Sequence, residues 1–246
     1  MKSFGGSDKK SYICSQYITN NQKSMKKVLM MAVAAMMATM SANAQYKAET
    51  WSLQPVIGIG LSSVTNMDNH PLTGKTDNTL TGAVQVGVEA EYMLTKQFSV
   101  AGGLNYTMQG CGWSNAKDKS TGVEYKNMRM ELGYFKIPIV ANCYLGSGFA
   151  VKAGVQFAFL TDAHLKMTAE STASGYDTTY DISADFKKDC ETFEFAIPLG
   201  VSYEFKNHWV LDARYQLSLS KLNKESANKD NKNSLFMLTC GYKFKL

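Results

Sequence analysis

Eight times between Trp51 and Leu246 the chain runs about ten residues in which every second side chain is apolar, then breaks off into polar sequence. A strand with period two meets different surroundings on its two faces. One such segment fits any half-buried sheet. Eight in succession form the dyad pattern of a transmembrane β-barrel, in which one face meets lipid and the other a crowded interior.

The first segment sets Trp51, Leu53, Ile57, Ile59 and Leu61 against Ser52, Gln54, Gly58, Gly60 and Ser62. The second alternates Val84, Val86 and Val88 with Gln85, Gly87 and Glu89, and the third Phe98, Val100, Leu104, Tyr106 and Met108 with Ser99, Gly103, Asn105, Thr107 and Gln109. In the fourth, Met128, Met130, Leu132 and Tyr134 give way to Ile137 and Ile139, a change of phase that predicts a bulge near Phe135. The last four segments present Phe149 to Phe159, Phe193 to Tyr203, Trp209 to Leu219 and Phe236 to Leu246 at alternate positions.

Breaks at 63–79, 112–127, 162–190 and 220–233 are long, whereas those at 94–97, 145–148 and 205–208 are short. Long outer loops and short periplasmic turns are the habit of an outer-membrane barrel, and an even strand count leaves both termini on the periplasmic side. Tyr92, Phe98, Tyr144, Phe149, Tyr203, Trp209, Tyr242 and Phe244 gather at the short-turn end as an aromatic girdle, with Tyr106, Tyr134 and Tyr215 further along.

The face opposite the apolar one carries Glu89, Glu91, Arg129, Glu131, Lys152, Glu194, Asp212, Arg214 and Lys243, with Lys136 joining after the bulge. Charges directed at lipid cost several kcal/mol, so they are expected to turn inward and pair. The interior of an eight-stranded barrel is just wide enough for side chains to fill. The expected fold is therefore all-β, an eight-stranded antiparallel up-and-down transmembrane barrel whose lumen is a mixed-sign network. A narrow ion path or small ligand cavity near Glu89, Glu91, Asp212 and Arg214 is the alternative. A soluble carrier barrel would be apolar inside, the reverse of this pattern.

Ahead of the barrel, Met25-Lys26-Lys27 opens a basic stretch, residues 28–40 are Val, Leu, Met and Ala almost throughout, and Ala42-Asn43-Ala44 supplies a small-x-small site. That is the order of a secretory signal peptide, too short to span a membrane as a helix. Residues 25–44 are expected to be removed between Ala44 and Gln45, leaving a barrel domain of 45–246. Residues 1–24 read as an upstream start or as an extended leader. No Cys follows the cleavage site, so a lipid anchor is not indicated.

The formal net charge of +5 belongs to the leader, where Lys2, Lys9, Lys10, Lys23, Lys26 and Lys27 stand against Asp8. The mature chain is neutral, and no nucleic-acid partner is expected. Of the cysteines, Cys14 precedes the signal, and Cys143 and Cys240 sit at a strand end and on an apolar face. Cys111 and Cys190 border long loops on one side, and a bridge between them stays open.

Asp177, Asp181, Asp185 and Asp189 recur every four residues in the third long break. They read as a solvated loop or an extension of two strands around Ser174-Gly175, because Ca²⁺ ligands need a tighter loop. His70, His164 and Asp162 lie near the outer rim with Ser and Thr around them, but no motif links a nucleophile to a base. His208 reads as an interfacial residue. No catalytic, metal or cofactor site is expected.

The chain resembles the outer-membrane β-barrel proteins of Bacteroidetes termed porin-family or PorT-like. The likeness is carried by Ala42-Asn43-Ala44-Gln45, by Lys136-Ile137-Pro138-Ile139 and Ala196-Ile197-Pro198-Leu199, and by the Gly241-Tyr242-Lys243-Phe244 ending. It implies an outer-membrane barrel and, for a few members, a part in protein secretion. Pro138 and Pro198 remove ladder donors and are expected to mark bulges. Together these readings describe a monomeric anchor in outer-membrane lipid whose long outer loops meet a protein partner or shape the cell surface. A secretion component and a rim enzyme acting through His164 or Asp162 are the rivals.

Overall fold

The computed structural model describes residues 47–65, 78–117, 123–146, 148–171, 178–224 and 231–246. The expected cleavage site at Ala44 and Gln45, together with His70 and Asp177, lies outside them. Among the described residues there are twelve strands: β1 (Trp51–Thr65), β2 (Asn78–Thr79), β3 (Thr81–Met93), β4 (Phe98–Trp113), β5 (Ala116–Lys117), β6 (Glu124–Tyr144), β7 (Phe149–Ser171), β8 (Thr178–Asp185), β9 (Phe193–Glu204), β10 (Trp209–Ser218), β11 (Lys232–Tyr242) and β12 (Phe244–Lys245).

Eight of these close a ring. Each of β1, β3, β4, β6, β7, β9, β10 and β11 pairs antiparallel with its sequence neighbours, and β1 pairs back onto β11 from Val56↔Gly241 to Thr65↔Lys232. Closure leaves no sheet edge in the ring, which is what a sheet in hydrocarbon requires.

The alternation sorts the two solvents. Ile59 is 68% and Val86 57% exposed on the outer face, whereas Arg214 is 5% and Lys136 1% exposed within. Only a surface that meets acyl chains carries its oils outward in this way. At the short-turn end Trp51 lies 4.8 Å from Tyr92 and Trp209 5.5 Å from Tyr242, ring centre to ring centre. At the other end Tyr106 meets Phe135 at 5.2 Å, and Phe159 meets Phe193 at 5.7 Å. Some ten residues separate the two belts along a strand. At about 3.3 Å per residue and the usual barrel tilt, that is about 25 Å, the height of an outer-membrane hydrocarbon band.

Strand β6 keeps one phase throughout. Met128, Met130, Leu132 and Tyr134 are buried inside, in line with Lys136, Asn142 and Tyr144. The expected slip near Phe135 is instead taken up across the ladder, where Gly133 pairs with Asp162 and Tyr134 with Leu160, so that Thr161 of β7 is the extra residue. A second shift between Lys126 and Arg129 puts an extra residue into β6, beside Asn127 with its φ of 53°. The two shifts cancel, so β6 and β7 end the run in their original register. Neither proline marks a bulge: Pro138 and Pro198 each fall in a gap of one ladder, and the register is the same on both sides of the gap. Tyr134 and Tyr144 point into the barrel and are not part of the girdle.

Two strands run well past the belt. β6 and β7 pair as far as Glu124↔Glu170, and β8 adds to β7 from His164↔Asp185 to Ser171↔Thr178. The third long break is therefore mostly sheet, the alternative that the sequence held open around Ser174-Gly175.

Candidate functional site

The lumen is stacked in layers. At the short-turn end the Lys243 ammonium lies 2.8 Å from Glu91 Oε2 and 2.9 Å from Glu204 Oε2, and it donates to Tyr144 Oη at 3.0 Å. Tyr144 in turn donates to Glu91 at 2.5 Å, and Ser99 and Asn142 close on the same carboxylate.

Above this layer Arg214 grips Glu89 with both ends of its fork, Nη1 to Oε1 at 2.9 Å and Nη2 to Oε2 at 3.2 Å. Nη2 also donates to Asp212 Oδ2 at 2.9 Å, an oxygen that Lys152 approaches to 2.6 Å. The planar guanidinium suits two carboxylates at once, which a point-like ammonium does not. The next layer is neutral around one cation: Lys136 donates to Gln109 at 2.6 Å and Gln216 at 2.8 Å, and Gln156 donates to Gln216 at 2.9 Å. Asn233 then joins Tyr134 Oη at 3.0 Å to Glu194.

Glycines make room for these long side chains. A Cβ at Gly103 would stand 2.7 Å from Glu89 Cγ and 2.9 Å from the Val88 carbonyl, so the Glu89 chain crosses the ring over a bare backbone. At the short turn, Gly148 combines a φ of +88° with a Cβ position 2.1 Å from the Glu204 carbonyl, and no other residue fits.

The long-loop end of the lumen is apolar. Val64, Cys111, Trp113, Met128, Met130, Leu132, Tyr134, Ala158, Leu160, Ala163, Cys190 and Leu222 form one buried cluster. Cys190 and Leu222 come from connecting segments, which are held over the strand ends by the Cys190↔Asn223 bridge and by Glu191 N–H donating to the Leu222 carbonyl at 2.7 Å. The lumen is thus ion-paired below and stoppered with hydrocarbon above.

Eight of the ten charges expected inside have their side chains in the lumen: Glu89, Glu91, Lys136, Lys152, Glu194, Asp212, Arg214 and Lys243. Arg129 and Glu131 do not. They project outward with Lys166, which lies 2.7 Å from Glu131 Oε2 while Arg129 Nε lies 2.7 Å from Oε1. The rule that charge must turn inward holds only at hydrocarbon depth, and these residues stand beyond the belt, where the outer face meets water. Partial burial pushes the Glu131 carboxyl up, but Lys166 and Arg129 hold it below the usual carboxylate range.

Glu204 was missed, although it continues the parity of Glu194 and Ser202 and is the last residue of β9, because the inward face of that segment was followed only as far as Ser202. The stopper was missed because its methionines read as lipid-facing. His164 and Asp162 stand on the β7 extension, and neither is hydrogen-bonded to a hydroxyl of the described residues. Asp181 accepts from Thr168 Oγ1 at 2.9 Å and Asp185 from the Lys187 amide at 2.9 Å, and among the described residues no acidic or Cys/His group has the geometry of a metal site.

The four cysteines of the described residues are free thiols, Cys111 and Cys190 included. Burial pushes the Cys190 thiol up to about 11, helped by Asp189 and opposed by Lys224. A thiol-directed maleimide near pH 7.5 is therefore expected to label Cys190 about a hundredfold more slowly in the folded barrel than after unfolding, with the rate climbing as pH rises. Rapid labelling of the folded protein would show that the stopper is open.

The sequence profile described as outer membrane protein beta-barrel domain matches residues 43–224. The chain belongs to that family. Its barrel is one of outer-membrane type, and the outer membrane is where such a ring with apolar exterior resides. No curated protein matches the sequence. Among solved structures, Ail, the attachment invasion locus protein of Yersinia pestis crystallised with the heparin analogue sucrose octasulfate, is 16% identical with a TM-score of 0.41, covering 80% of this chain and 99% of Ail. Neisserial surface protein A is 13% identical at a TM-score of 0.42, over 79% of this chain and 97% of its own. OprG from Pseudomonas aeruginosa is 16% identical at a TM-score of 0.38, over 82% and 98%.

Proposed function

We propose that this outer-membrane barrel is a non-enzymatic anchor that stands as a monomer in lipid and presents its long-loop end for contact outside the cell. The observation that carries the reading is the filled lumen: a ring that is ion-paired at two heights, hydrogen-bonded above them and stoppered with Met, Trp and Leu offers no diffusion path, while the β6–β7–β8 sheet rises past the aromatic belt. In planar bilayers the protein is expected to give no conductance steps. In intact cells a Ser183→Cys variant is expected to react with a membrane-impermeant thiol reagent, and protection of that residue until the cells are broken would place the sheet in the periplasm and overturn the reading.

Export with cleavage after Ala44 belongs to the same proposal. Intact-mass analysis of protein purified from outer membranes should give a chain beginning at Gln45. A PorT-like role in secretion, within Bacteroidetes, is supported by the two Ile-Pro-aliphatic segments, both of which lie in ring strands with their prolines turned inward. It predicts that deletion of the gene stops other proteins from leaving the cell.

A further inference from the structure

The outermost strand of the β6–β7–β8 sheet has an open side. Among the described residues β8 pairs with β7 alone, in unbroken register over its whole length. Such an edge presents alternate N–H and C=O groups to water and is a template for another strand. Proteins commonly blunt an edge with lysine, proline or a bulge. The segment Thr-Thr-Tyr-Asp-Ile-Ser-Ala-Asp has none of these.

Its side chains are sorted as well. Tyr180, Ile182 and Ala184 share one face, with Tyr180 61% and Ile182 41% exposed, while Asp181 and Asp185 stand four residues apart on the other. Neither pair serves the ring. No cation of the described residues forms an ion pair with either carboxylate, and each keeps acceptor capacity beyond its single hydrogen bond. The spacing along the strand is about 13 Å, and an added strand matches it with two cations four residues apart.

We propose that the free edge of β8 docks an extended protein segment that carries Lys or Arg at every fourth position and aliphatic or aromatic residues between them, and that this segment joins the sheet as a further strand. The cations face Asp181 and Asp185, the oily residues cover Tyr180 and Ile182, and backbone hydrogen bonds supply the affinity. This deepens the anchor reading and rests on the outward placement of the sheet.

The test uses the full chain in nanodiscs of zwitterionic lipid, which give a cationic peptide no anionic surface. Two probes are compared, the peptide Thr-Val-Lys-Val-Thr-Val-Lys-Val and its counterpart with Glu for Lys. The Lys peptide is expected to bind at least about tenfold tighter, to slow hydrogen exchange at β8 amides, and to lose its advantage to the Glu peptide in the Asp181→Lys/Asp185→Lys variant. Equal binding of the two peptides, protection elsewhere on the protein, no binding, or an unchanged preference in the variant would each overturn the proposal. Failure of the anchor reading shows differently, as a Ser183→Cys residue shielded in intact cells while the peptide result in nanodiscs stands.

Discussion

Arg214→Met is expected to cost the barrel about 3–5 kcal/mol, read from urea unfolding and refolding in lipid vesicles. Both ends of the guanidinium are spent on Glu89, and Nη2 also serves Asp212. Methionine fills much of the space but leaves the Glu89 carboxylate buried, with only the long bond from Asn105 at 3.3 Å. Asp212 keeps Lys152 and suffers less. Adding Glu89→Gln to Arg214→Met removes the orphaned charge and is expected to restore most of the loss, because a buried ion pair is worth little over a neutral replacement, whereas half of one is expensive. Were Arg214→Met as stable as the parent, the lumen would have to be wet enough to solvate a bare carboxylate, and the layered description would be wrong.

The second large effect concerns depth. Val86 stands on the outer face of β3 between the two aromatic belts, paired with Ile57 and Tyr106. Val86→Arg should cost about 2–4 kcal/mol in the same refolding measurement, the penalty of a guanidinium at mid-membrane. Thr179→Arg, on the exposed β8 extension, should fall within about 0.5 kcal/mol of the parent. Equal costs at the two sites would mean that the hydrocarbon band has been misplaced, whether by inverting the barrel's faces or by immersing the sheet. The contrast is more telling than either value, since both variants add the same side chain.

The ring was legible because one physical variable, the solvent on each side of a strand, sets the identity of every second residue. Val86, Leu199, Glu89 and Arg214 all lie where parity puts them. Strand β6 shows where that reading stops. Polarity assigned Arg129 and Glu131 inward and Met128 and Met130 outward. Parity counted back from Asn142 and Lys136 gives the opposite and observed result. The two rules diverge above the membrane, where water bathes the exterior and the interior is closed by hydrocarbon, so that hydrophobicity changes sides while the pleat does not. Cys190 and Leu222 were beyond such reasoning altogether: no periodicity marks a connecting segment that folds inward over a ring. The four-residue recurrence of aspartate likewise said nothing of whether its backbone was loop or strand until the β7–β8 pairing was seen.

The stopper of Trp113, Met128, Met130, Leu132 and Leu222 has a consequence for the envelope as a whole. A ring blocked by its own side chains, as proposed above, would add no diffusion path for solutes, so a bacterium could display it in large numbers without weakening its permeability barrier. Abundance at the surface is then limited by synthesis and by crowding among neighbouring barrels.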